Sequence, residues 1–101
     1  MRPVTQTDLM AAARVLMAAP AASRPHEAQT MIAQARLADR FRQNTGRPHP
    51  RFGNGTLLSV ALNRPGADPI SPGDPEYLAC FALMIDVVLA RYSPPDPGKP
   101  R

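Results

Sequence analysis

A chain of 101 residues, 44% of them apolar and with a net charge of +4, is sized for one domain with a modest core, burying roughly 60–65% of the surface its unfolded form exposes. A single cysteine, Cys80, excludes an intrachain disulfide and a cysteine metal cluster, and no window approaches the roughly 18 apolar residues of a membrane span. The apolar run from Leu9 to Ala22 is preceded by Asp8 and interrupted by Arg14, unlike the unbroken core of a secretory signal, so a reducing cytoplasm is the expected setting.

Thr5 and Asp8 have capping-box spacing, with Asp in place of Glu, and Leu9, Ala12, Ala13, Leu16 and Met17 follow at helical steps. This predicts a first helix over about 6–19, ended by Pro20. Ser23 is the expected N-cap of a second helix over about 25–44, with Pro25 in its first turn. Ala28, Met31, Ile32, Ala35 and Ala38 form its apolar stripe, Leu37 and Phe41 widen it, and Gly46 takes the exit. Residues 46–55 hold too much Gly, Pro and Asn for anything but a loop. Thr56 caps a short third helix, 57–63, whose Leu57, Leu58, Val60 and Ala61 are expected to be incompletely buried. After a second Pro/Gly loop, Asp74, Pro75 and Glu76 open the last helix, 75–92. Tyr77, Leu78, Phe81, Ile85, Val88, Leu89 and Tyr92 give it a broad apolar stripe. The expected fold is all-α: a compact bundle of three longer helices and one short one over 1–92, with Pro-rich loops and a disordered tail, 93–101, that holds four prolines.

The most distinctive chemistry lies between residues 36 and 51. Arg36, Arg40, Arg42, Arg47, His49 and Arg51 stand there against one acid, Asp39, with Phe41 and Phe52 interleaved. Eleven of the twelve basic residues are arginine, which with the many Ala and Pro residues suits a GC-rich genome, so part of this charge is compositional. Three readings remain: a solvated helix face with its loop, a surface for an acidic protein, or a single-stranded nucleic-acid site using guanidinium groups and aromatic planes. A helix-turn-helix fits poorly, because its turn takes about 3–4 residues.

Asp39 falls on the apolar stripe, and a buried carboxylate must be paired. Asp39, Arg42 and His49 are therefore expected to form a structural clasp that staples the 46–55 loop to the second helix. Arg36, Arg40, Arg47 and Arg51 are left for a partner. Gly53-Asn54-Gly55-Thr56 ahead of a helix resembles an anion-binding turn but lacks the phosphate-loop spacing, and reads as a cap for the third helix. His26 and His49 do not make a metal site, Cys80 reads as a buried thiol, and no catalytic set or cofactor motif is assembled.

Thr45-Gly46-Arg47-Pro48-His49-Pro50, Gly53-Asn54-Gly55-Thr56-Leu57 and Gly73-Asp74-Pro75 through Tyr77-Leu78-Ala79-Cys80 resemble a family of small uncharacterised proteins of Rhodobacter-group alphaproteobacteria. The Met1-Arg2-Pro3-Val4 opening and the Ala-rich first helix fit as well. The resemblance implies a bacterial, cytoplasmic protein and supplies no mechanism. The functional expectation is a non-enzymatic adaptor or regulator that binds a protein through the Arg36–Arg51 segment, with nucleic-acid binding by the same segment as the alternative.

Overall fold

The computed structural model describes residues 1–71 and 73–92, and the tail expected to be disordered lies outside them. The helices are α1 (Gln6–Ala18), α2 (Arg24–Thr45), α3 (Leu57–Leu62) and α4 (Pro75–Tyr92), with a 3-10 turn, Ala21–Ser23, joining α1 to α2. Each helix boundary lies within one residue of its sequence expectation. Among the described residues, β pairing is limited to one bridge, His49 to Gly53. The fold is all-α, as the periodicity predicts.

The helix ends follow local chemistry. Thr5 and Asp8 close a complete capping box on α1. Gly46 ends α2 in the left-handed conformation, φ 72°, and its N–H reaches Arg42 O at 2.8 Å. The Asp74 carboxylate accepts the Glu76 N–H at 2.9 Å at the start of α4. Ser23 departs from expectation. It lies in helical conformation and makes no capping bond, because the 3-10 turn runs directly into α2.

The core is built from Leu16, Met31, Ile32, Leu57, Val60, Cys80 and Met84, all essentially without exposure. Each large side chain buried there contributes about 1.5–3 kcal/mol before conformational entropy is charged. Leu57, Val60 and Ala61 are more deeply buried than expected, since α3 packs against both α1 and α2. α4 lies antiparallel to α1: Pro3, Val4 and Leu9 line a groove with Ile85, Val88 and Leu89, while the far end of α1 meets the start of α4. α4 is turned so that Tyr77, Cys80, Met84 and Val88 point inward. Leu78 and Leu89, 51% and 55% exposed, lie at the edge of its stripe, because the neighbouring helices cover only part of its circumference.

One arginine locks the α1–α2 corner. Arg24 Nε donates to Leu16 O at 2.7 Å, beside the Ala19 N–H that this carbonyl already accepts, and to Ala19 O at 3.2 Å, just past the end of α1. Its terminal nitrogen bonds Glu76 Oε1 at 2.6 Å and so ties the start of α4 to the same corner.

Candidate functional site

Asp39 is buried on α2, as its place on the apolar stripe requires. One carboxylate oxygen accepts Arg42 at 3.1 Å. The other accepts Gln43 Nε2 at 3.2 Å and lies 3.3 Å from the Met1 α-amino group. Burial alone pushes this carboxyl up, but the Arg42 hydrogen bond and the adjacent ammonium outweigh it and hold the pKa below the ordinary 3.8. A carboxyl lowered on folding contributes stability above its unfolded value and loses it as pH falls through the folded one. The Tm difference between the native protein and Asp39→Asn is therefore expected to be level from pH 7 to 5 and to close below about 3.8. Thermal melts across that range check this, and a gap independent of pH contradicts it.

His49 is not part of this cluster. Its Nδ1 accepts the backbone N–H groups of Arg51 and Phe52 at 3.0 and 3.2 Å. Its ring stacks on Phe52 at 4.9 Å and meets Phe41 edge-on at 5.0 Å. The structure thus separates the expected clasp into two devices. Asp39 with Arg42 holds the N-terminal segment on α2, and His49 wedges the loop against Phe41. The loop still crosses Asp39, but through the backbone of Gly55, which accepts the Arg2 N–H at 2.9 Å.

The wedge decides where the arginines go. Arg36, Arg40, Arg47 and Arg51 are all exposed, and none has an acidic partner among the described residues. Arg36 and Arg40 share one face of α2, with the 46%-exposed Leu37 beside them. Arg51 is elsewhere. The edge-on contact of His49 with Phe41 lays the loop along the opposite flank of α2, where Arg51 lines a pocket with Gln34, roughly 160° around the helix from Arg36. The expected single patch is therefore divided into a helix face and a pocket edge.

Asp8 joins the site although the sequence showed it only as a capping residue. Its Oδ2 accepts the Thr5 N–H and hydroxyl at 2.7 and 2.6 Å, and its Oδ1 accepts the Leu58 N–H at 2.8 Å. One buried carboxylate serves the N-termini of two helices. The turn 53–56 is the cap of α3 that the sequence predicts, with Thr56 Oγ1 accepting the Ser59 N–H at 3.2 Å. Asn54 Oδ1 gathers Thr56 N, Thr56 Oγ1 and Ser59 Oγ within 3.1 Å and completes the cap.

Arg64 is the other residue that the sequence did not single out. It is ion-paired with Glu27 and donates to Gln34 Oε1 at 2.8 Å, which anchors the exit of α3 to α2. Burial pushes the pKa of its guanidinium down from the ordinary arginine value. Glu27 and Gln34 share a face of α2 at i, i+7 spacing, but no local pattern brings Arg64 to it. Cys80 is buried in α4, and burial pushes its thiol up. No group of three or more His, Cys, Asp or Glu able to hold a metal occurs among the described residues. Nor is any described helix long and apolar enough to cross a membrane.

Residues 2–88, which include every side chain named in this site except Met1, match the family described as Domain of unknown function (DUF7742). The chain belongs to that family. No curated protein and no solved structure matches it.

Proposed function

We propose that this DUF7742 protein is a non-enzymatic adaptor or regulator, working in the reducing cytoplasm, that binds an acidic protein partner through the arginines of α2 and the following loop. The observation that carries this reading is the distribution of charge pairs. Six of the described acids, Asp8, Glu27, Asp39, Asp68, Asp74 and Glu76, have partners within the chain, either backbone N–H groups or Arg14, Arg24, Arg42 and Arg64, and the exposed Asp86 on α4 pairs with none of the four arginines of the 36–51 segment. Arg36, Arg40, Arg47 and Arg51 carry charge that no described acid neutralises, and Arg36 and Arg40 flank the exposed Leu37. A cationic helix face with an apolar residue at its edge suits an acidic surface that also offers apolar contact, with the charges setting encounter rate and orientation.

Single-stranded nucleic acid is the weaker reading, because both phenylalanines of the segment already give ring surface to His49, and Arg51 lies over Phe52 at 5.6 Å to the ring centroid. Replacing Arg36, Arg40, Arg47 and Arg51 together with Glu is expected to strip at least one partner captured by the native protein from lysate, and raised salt is expected to weaken that capture. An unchanged set of partners overturns the reading. Oligonucleotide affinity that falls steeply along a salt series, with no protein captured, replaces it with the alternative.

A further inference from the structure

On the Arg51 side of α2, a pocket of about 240 Å³ is lined by Gln34, Arg51, Phe52, Val60, Asn63 and Arg64. It draws on α2, the loop and α3, so it exists only in the folded chain. Its polar groups have an assignable polarity. A guanidinium has donors only, so Gln34 must turn its oxygen to Arg64, and its NH₂ group is left to donate elsewhere. Asn63 Nδ2 is spent on the Ser59 carbonyl at 3.1 Å, so its own oxygen is left to accept. The Arg51 guanidinium has no acidic partner among the described residues and is braced by the Phe52 ring. Two guanidinium groups, Arg51 and Arg64, stand against one carboxylate, Glu27, which leaves a single positive charge. Phe52 gives the pocket an apolar side next to the guanidinium, while Arg51 and Asn63 keep it open to solvent.

We propose that this pocket receives a single carboxylate carried close to an N–H group, as in a glutamate or aspartate residue of a partner chain. The carboxylate accepts from Arg51 and the Gln34 NH₂, and the neighbouring N–H donates to Asn63 Oδ1. A monoanion balances the charge of the pocket, whereas a phosphate dianion overshoots it. The proposal deepens the protein-partner reading and rests on it for the source of the carboxylate.

The test is an NMR titration of the isotope-labelled full chain with N-acetyl-glutamate N-methylamide, with the glutamine counterpart, acetate and inorganic phosphate as separate arms. Saturable shifts are expected at Gln34 and over residues 51–64 with the glutamate compound, and none with the glutamine compound. Arg51→Gln, on an exposed side chain that leaves Tm unchanged, is expected to weaken binding about tenfold or more, the value of one charged hydrogen bond. Arg91→Gln, on the exposed side of α4 and away from this pocket, leaves the affinity unchanged. The proposal is overturned by unsaturable shifts, by equal binding of the glutamine compound, by tighter binding of phosphate, or by equal losses in both arginine variants. Acetate binding as tightly as the peptide mimic makes a free small carboxylate the source and removes the partner residue. A failed titration beside a charge-reversed variant that still loses its partner removes the pocket and leaves the interaction reading intact.

Discussion

Replacing Gly55 with alanine is expected to lower stability by about 3–4 kcal/mol, a fall in Tm of roughly 15–30 °C for a domain of this size. Two costs coincide at this position. The backbone sits at φ 92°, where a side chain is strained. The added Cβ would also lie 2.7 Å from Asp39 Cα and 2.8 Å from Asp39 Cβ, which is backbone and stem of a long helix and unable to rotate away. Gly46 separates these costs. Its φ is 72°, but nothing lies within 4 Å of an added Cβ, so Gly46→Ala bears strain alone, about 1–2 kcal/mol. Thermal and urea melts of the two variants check the prediction, and equal losses would show that the approach of the loop to Asp39 is not close.

Asp8→Ala is expected to cost about 3 kcal/mol, or roughly 12–24 °C in Tm. It removes half of the α1 capping box and strands two N–H groups, Thr5 and Leu58, that the carboxylate satisfies. Asp8→Asn distinguishes this arrangement from an ordinary cap, where Asn replaces Asp at little cost. Here one carboxylate oxygen faces the Thr5 N–H and the other faces the Leu58 N–H. An amide has one accepting oxygen, so its NH₂ must face one of those donors, and about 2 kcal/mol is expected to be lost. Hydrogen exchange offers a local readout: the Leu58 amide is expected to lose protection in both variants. A neutral Asp8→Asn would show that one of the two bonds contributes nothing.

The two predictions share a cause. Gly55 and Asp8 hold the same junction, where the loop after α2 returns across Asp39 and presents the start of α3 to α1. The short α3 is too small to be stable alone, and it persists because its N-terminus is capped from another helix and its apolar side is covered by α1 and α2. The pocket beside Arg51 depends on α3 as well, through Val60 and Asn63. Changes at either residue are therefore expected to affect that pocket only through stability, whereas Arg51→Gln acts on it directly.

Helix identities and ends were legible from residues alone, because capping and apolar periodicity act over one or two turns: Thr5 with Asp8, Gly46 after Thr45, Asp74 ahead of Pro75. The charge of the 36–51 segment and the burial of Asp39 were legible for the same reason, since a carboxylate on an apolar stripe has few places to go. Which group satisfies Asp39, which face of α4 turns inward, and whether four arginines make one patch depend on rotations about helix axes and on the path of a ten-residue loop. Those are decided by packing, here by the ring of His49 between Phe41 and Phe52, and no local pattern encodes them. The contacts of Arg24 with Glu76, Asp8 with Leu58 and Arg64 with Glu27 join residues 52, 50 and 37 positions apart. Only the folded chain brings such pairs together, and with them it sets Arg36 and Arg40 on one side of α2 and Arg51 on the other.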